Sequence, residues 1–386
     1  MKTESPSAYN RYSVTGRLLI AGRLVDGALV VEADRIVEVR AGVTGEPPGP
    51  RLVAEIVSPG LVDLQCNGGF GLEVGADAEA LRALAARLPA TGVTTFLPTA
   101  VSATAADYRA LAAAFAASRG APGADPAGLH LEGPLLSPAR AGAHDSTAIG
   151  AADATLDAVL DELLAARALR LLTLAPERPG ALDRIRRLVG AGVTVALGHT
   201  DATFDEATAG IDAGATLVTH LFNAMSGLHH RAPGAVGAAL TDDRVAVGLI
   251  ADGVHTHPAV LALALRAKGP ERIVLVTDAV AAAGAPPGGY QLGGRPVISD
   301  GESARRPDGT LAGSTLTLDR AVRAMVHLGG ARIEDALAMA SVVPAARVGL
   351  TDRGALAVGR RADLVLWSTD LVVETTIVGG QLAFRA

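Results

Sequence analysis

The chain has 386 residues, a net charge of −6 and a 49% hydrophobic content, enough for one large core plus a small partner domain, and it has no basic cluster for nucleic acid. Charges, Gly or Pro break every apolar run well short of the ~18 residues of a membrane span, and MKTESPSAYN lacks the apolar stretch of a signal peptide. Cys66 is the only cysteine, so no internal disulfide can form, and a cytoplasmic location is expected.

Residues 14–43 alternate apolar and polar, with turns expected at Asp26-Gly27 and Ala33-Asp34, and residues 354–386 repeat the pattern. Both ends are therefore expected to build one small β domain, bounded at 1–55 and 346–386. Between them, over 56–345, eight apolar segments each end in polar or glycine residues: IVSPGLVDLQ, TTFLPTA, GLHLEGP, LRLLTLAPE, VTVALGHT, ATLVTHLFN, VAVGLIADG and RIVLVTDA. Alanine-rich stretches of helical spacing separate them, among them ADAEALRALAARLPATG, ATAADYRALAAAFAASRG and DATLDAVLDELLAAR. Continuous apolar strands alternating with helices indicate a parallel sheet covered on both faces, and eight such units predict an α/β protein built on a TIM-like (β/α)₈ barrel. A doubly wound sheet would carry a stronger phosphate turn than NGGFG after its first strand. The Gly/Pro-rich segment 284–313 follows strand eight, as a lid or an exposed hairpin.

In VDLQCNGGFG, strand alternation puts Asp63, Gln65 and Asn67 on one face and Leu64 and Cys66 on the other. Cys66 is then a buried core thiol. Barrel active sites lie at the C-terminal strand ends, where Glu132, His199, His220 and Asp278 each follow an apolar run directly. Singly, each has an ordinary role as a cap or a hydrogen-bonded polar group. Together, two imidazoles and a carboxylate are the three protein ligands of a catalytic zinc with an open position for water. Such a metal lowers the pKa of its water to ~7, and Asp278 would carry the proton to a leaving nitrogen. His130 shares the face of Glu132 and is expected to support it from a buried position.

These motifs resemble the amidohydrolase superfamily and, within it, the N-acetylglucosamine-6-phosphate deacetylase family. PGLVDLQCNGG, GLHLEGPLLSPARAGAH, LAPE, GHTDATFDEA, THLFNAMSGLHHRAPG, IADGVH, LVTDA and LAGS carry the resemblance from about Gly16 to the C-terminus. It implies a barrel with a small β-sandwich built from both termini, and release of acetate from the amide nitrogen of a phosphorylated N-acetyl amino sugar. By the same resemblance, Glu132, His199 and His220 are metal ligands, Asp278 is the acid/base, and His144 polarises the carbonyl. Asn223 and Ala224 hold the phosphate through their backbone, and Arg231 reaches it from the neighbouring subunit of a homodimer. His255 contacts substrate, and Leu311, Ala312 and Gly313 close over the sugar. His229 and His230 are expected at the surface, and His257 at a helix start.

Many superfamily relatives carry D-x-H-x-H at strand one and a carboxylated lysine, which together hold a second metal. Here Gln65 and Asn67 replace the histidines, and no lysine lies between Lys2 and Lys268. One divalent metal per subunit, Zn²⁺ by its donor set, is expected, with Gln65 and Asn67 bonded to water or substrate or bracing the ligands. An arginine suits phosphate through paired donors, and the 3% aromatic content leaves few stacking platforms for a sugar. The alternatives are the same reaction on N-acetylgalactosamine 6-phosphate or another N-acetyl sugar phosphate, a ring-opening hydantoinase-type hydrolase, and an inactive binding scaffold.

Overall fold

The computed structural model describes residues 10–42, 49–149 and 154–386. Met1–Tyr9, at the start of the expected terminal domain, and Asp153, at the head of an expected helix, lie outside the described residues.

Eight parallel strands pair in chain order: Leu61–Cys66, Val93–Ala100, Leu129–Glu132, Leu169–Leu174, Thr194–Leu197, Leu217–Val218, Ala246–Leu249 and Ile273–Leu275. Strand eight returns to strand one just beyond its end. Asp278 N–H donates to Gln65 O at 2.9 Å and Asn67 N–H to Ala279 O at 2.8 Å, so the near-closed TIM-like barrel forms as expected. Helices follow the strands, among them Ala78–Arg87, Ala105–Ser118, Phe204–Asp212 and Pro258–Lys268. Two of them start on capping boxes, Thr104 with Asp107 and Thr203 with Glu206. In each box the hydroxyl accepts the third backbone N–H and the carboxylate accepts from the cap.

Strands from both termini form a separate seven-stranded sheet, ordered Gln381–Arg385, Val373–Val378, Leu364–Trp367, Arg51–Pro59, Arg11–Ile20, Arg23–Glu32, Arg35–Ala41. Its two faces divide by alternation. Val57, Leu364 and Leu366 join Leu18, Leu29 and Ile36 in a small core, while Ile56, Val365 and Trp367 join the barrel core.

Two local expectations are corrected. Asp26-Gly27 is not a turn, because Gly27 sits inside Arg23–Glu32 opposite Gly16. A Cβ on Gly27 would lie 2.3 Å from Arg40 O, so the glycine serves close strand approach. The turn is Ala21-Gly22, both with positive φ (47° and 75°), as a tight hairpin requires. IVSPGLVDLQ is also two strands. Arg51–Pro59 belongs to the terminal sheet and Leu61–Cys66 to the barrel, with Gly60 between them.

Segment 284–313 folds as an antiparallel sheet of Gly288–Leu292, Arg295–Ser299 and Ala304–Arg305. Val280, Ala282, Leu292, Val297, Ala304 and Ala312 form a core beneath it, and Leu292, Thr310, Leu311 and Gly313 face the cavity at the C-terminal barrel end.

Gly60 marks where the two sheets meet. A Cβ there would stand 2.1 Å from Thr94 Oγ1 and 2.7 Å from Thr94 Cβ, and Thr94 is a buried β-branched residue that cannot swing away. Gly60→Ala should lower unfolding free energy by about 1–3 kcal/mol, read as a lower urea midpoint at unchanged m-value.

Candidate active site

The strand-end residues do converge. Glu132 closes strand three, while His199, His220 and Asp278 stand just past strands five, six and eight. All four line one cavity of about 360 Å³ at the barrel mouth, with Asn67, His144, Asn223, Ala224, His255, Leu311 and Gly313 also in its wall. His199, His220 and Asp278 have φ of 47°, 27° and 49°, a left-handed backbone that side chains other than glycine rarely adopt.

Glu132 is the centre of the group. Its Oε1 lies 3.0 Å from His220 Nε2 and 3.3 Å from His199 Nε2, those two nitrogens are 3.1 Å apart, and His144 Nε2 is 3.5 Å from Oε2. Burial would raise the Glu132 pKa, but contacts from His144, His199 and His220 outweigh it and hold the carboxyl well below the usual range. By distance alone Glu132, His144 and His199 already form a metal-sized cluster.

Hydrogen bonds to the far ring nitrogens separate the histidines. His199 Nδ1 donates to Arg140 O at 2.9 Å, so its Nε2 carries a lone pair in the neutral ring. His144 is opposite: Ser102 N–H donates to its Nδ1 at 3.0 Å, which leaves the proton on Nε2. Burial, and after it His199, push the His144 pKa down to about 4, so the ring is neutral, and with Nδ1 accepting, its Nε2 carries an N–H toward Glu132. Among the described residues His220 Nδ1 is buried without a partner, and its Nε2 meets two lone-pair atoms. One carboxylate and two imidazoles crowding their lone pairs together suit a divalent cation.

Asp278 lies beside this centre. Burial first, then the Glu132 charge, push its pKa up to about 6. Its Oδ1 accepts Asn67 Nδ2 at 2.7 Å and Gln65 Nε2 at 3.1 Å, and Gln65 Nε2 also donates to Glu132 Oε1 at 2.9 Å. A carboxylate only accepts, which fixes the orientation of both amides. Neutral N–H donors therefore stand between the two carboxylates.

His130 is buried, with Nδ1 3.0 Å from Leu64 O and Nε2 2.8 Å from Thr173 Oγ1, in the polar layer below the site. Ala312 is buried behind the cavity wall rather than in it. Arg231 is exposed, bonded to His230 Nε2 at 2.6 Å, and does not line this chain's cavity. Cys66 is a buried free thiol and His257 caps the helix Pro258–Lys268. Three supports escaped the sequence reading: Ser102, Arg140 through its carbonyl, and Asp252. Asp252 Oδ2 holds His255 Nδ1 at 2.6 Å, and its Oδ1 accepts the N–H groups of Val254 and His255. Only the D-x-x-H spacing in ADGVH hinted at that last pair.

A parallel barrel with a carboxylate–imidazole centre and an adjacent raised carboxylic acid defines a metal-site hydrolase architecture. Comparison with known proteins gives the family: residues 56–383 match the amidohydrolase family, and the chain belongs to it. It is 43% identical to the N-acetylgalactosamine-6-phosphate deacetylase of Escherichia coli O157:H7, over 86% of this chain and 88% of that protein. It is 38% identical to the N-acetylglucosamine-6-phosphate deacetylase of Bacillus subtilis, over 85% of each chain. The N-acetyl-D-glucosamine-6-phosphate deacetylase of Mycobacterium smegmatis superposes with a TM-score of 0.90 at 38% identity, covering 97% of this chain and 100% of that one. The expected resemblance thus holds over most of the chain.

Asp63 ties the two barrel ends together. Its Oδ2 accepts Thr277 Oγ1–H at 2.6 Å and its Oδ1 accepts the N–H groups of Gln65 and Thr277. Burial raises its pKa from 3.8 to about 7. The folded chain therefore holds a proton that the unfolded chain releases near pH 4, and this contribution to stability fades as pH rises from about 4 through about 7. Asp63→Asn cannot titrate. The unfolding free energy of wild type minus that of Asp63→Asn should fall across this window in urea titrations; a constant difference would contradict the assignment.

Proposed function

We propose that the chain hydrolyses the acetamide of N-acetylglucosamine 6-phosphate, releasing acetate and glucosamine 6-phosphate. The observation that carries this reading is the convergence of Glu132, His199 and His220 beside Asp278 in one cavity, in a chain whose relatives are named for that chemistry. One divalent cation per chain, Zn²⁺ by donor set, is assigned to Glu132, His199 and His220. Bound there, it would lower the pKa of a water and polarise a carbonyl.

Neutral His144 offers its Nε2 proton to the acetamide oxygen. Asp278 takes the proton of the attacking water and delivers it to the departing nitrogen, a task suited to a carboxyl raised to about 6. Both amide contacts fall on Asp278 Oδ1, which leaves Oδ2 for the reacting atoms. Asn223, Ala224 and His255 bind substrate, and Leu311 with Gly313 covers the sugar. Ala312 backs that wall from its small core. The division expected at 55/56 moves to Gly60, because Arg51–Pro59 is one strand of the terminal sheet, and with 346–386 assigned to the terminal domain all the ligands stay on the barrel. The single cysteine and acidic balance fit a cytoplasmic enzyme. The 43% identity to a galactosamine-type deacetylase favours the 4-epimer as the second reading.

Acetate release measured on N-acetylglucosamine 6-phosphate, N-acetylgalactosamine 6-phosphate and the unphosphorylated sugars tests the reading, on enzyme stripped of metal and reloaded with Zn²⁺. Activity should require metal and phosphate and favour the gluco epimer. Asp278→Asn should bind metal yet lose about 10²–10⁴ in rate. Inactivity of the loaded wild type on every sugar would sink the proposal.

The assembly assigned to this function is a homodimer with Arg231 completing the partner's phosphate site. Arg231 is exposed and outside the wall of its own chain's cavity, on a loop that also exposes Leu228. Arg231→Ala should raise KM for the phosphorylated sugar far more than for the unphosphorylated one. Mixing Arg231→Ala with Asp278→Asn chains should restore partial activity, because one site of a mixed dimer keeps both residues. A monomer by sedimentation, or no recovery after subunit exchange, would rule this out.

A further inference from the structure

Asn67 has a buried atom with no partner. The residue is 2% exposed and its Nδ2 donates to Asp278 Oδ1 at 2.7 Å, but its Oδ1 meets no donor among the described residues. The amide cannot escape this by flipping, because Oδ1 would then face a carboxylate oxygen. Buried polar groups in folded proteins are almost always paired. Asn67 lines the cavity that holds Glu132, His144, His199, His220 and Asp278 and also the neighbouring cavity of about 760 Å³ behind Val101 and Ser102, and a molecule entering the first of these brings a donor beside Asp278.

The chemistry of the reaction selects the donor. A secondary acetamide has one donor at its reacting centre, the N–H. That nitrogen must come to Asp278, since its proton is delivered from there, and Asn67 is in direct contact with Asp278. Resting on the amide-hydrolase reading above, we infer that Asn67 is a catalytic residue whose Oδ1 accepts the N–H of the scissile amide. The water oxygen bonds to the carbonyl carbon and its proton passes to Asp278 Oδ2. The C–N bond then breaks, its electron pair stays on nitrogen, and nitrogen takes the proton from Asp278, leaving acetic acid and the free amine, which become acetate and ammonium when the second water proton passes to the amine. As nitrogen is protonated its N–H becomes a charge-assisted donor, so the bond to Asn67 strengthens along the reaction and favours the transition state over bound substrate.

The test compares two substrates that differ in one atom: the 2-acetamido sugar 6-phosphate, and its 2-O-acetyl ester counterpart, in which oxygen replaces N–H. Asn67→Ala should lower kcat/KM on the amide by roughly 10²-fold and on the ester by at least an order of magnitude less. Metal content per chain and the thermal midpoint are measured alongside. Equal losses on both substrates would mean that Asn67 acts only by steadying Asp278, and no loss on either would mean that water satisfies Oδ1; each result overturns the inference. If Asn67→Ala does not fold, Asn67→Ser is compared in the same way, its shorter side chain being unable to span to both groups. A wild type inactive on the amide would sink the underlying reading and this inference with it. An active wild type with equal losses in the variant would sink only the role of Asn67.

Discussion

Aiming side chains from separate strands at one point on a barrel axis demands that the chain turn sharply where each strand stops. His199, His220 and Asp278 make that turn with positive φ, each in a conformation that disfavours an L-residue by roughly 1–2 kcal/mol. The surroundings must over-determine such a backbone for it to persist, and here they do. Ser137 N–H holds His199 O at 2.8 Å, and Leu221 N–H, just past His220, holds Gly248 O at 2.8 Å. Asp278 is pinned on both sides, by its own N–H to Gln65 O at 2.9 Å and by Ser314 N–H to its carbonyl at 2.8 Å. The first of these two bonds also helps close the barrel between strands one and eight, so the position of Asp278 and the integrity of the fold share a contact.

That coupling explains the amides of strand one. Glu132, buried, and Asp278, half-buried, are two carboxylates on either side of Gln65 Nε2. Imidazoles at 65 and 67 would invite a second cation, and a cation there would hold Asp278 ionised and lower its affinity for a proton. Gln65 and Asn67 instead supply N–H donors without charge. They relieve the repulsion enough to keep both acids in place and leave Asp278 raised.

Much of this was legible in the residues because parallel barrel strands are continuous apolar runs, against which a polar residue directly after the run stands out. Glu132, His199, His220 and Asp278 were found in that way. The same continuity hid the boundary at Gly60, where an apolar run crosses from one sheet into another without a change of composition. Asp26-Gly27 misled because a glycine demanded by close strand approach reads like a glycine demanded by a turn. Arg140 could not be found at all, because it acts on His199 through its carbonyl and main-chain groups are the same for every residue type; Ser102 meets His144 Nδ1 with both its N–H and its hydroxyl, at 3.0 and 2.9 Å, but from a loop 42 residues away.

The three central histidines show what the structure adds. In sequence they are alike, each in a loop after an apolar strand. Their chemistry diverges through one hydrogen bond at the far side of the ring. An accepting carbonyl behind His199 frees a lone pair toward Glu132, whereas a donating N–H behind His144 forces a proton toward the same carboxylate. Exchanging those two backbone contacts would put the Nε2 proton on His199 and the Nε2 lone pair on His144 with no change in the identity of either side chain. The division of labour at this centre therefore resides in the loops that end strands two and three, around Ser102 and Arg140.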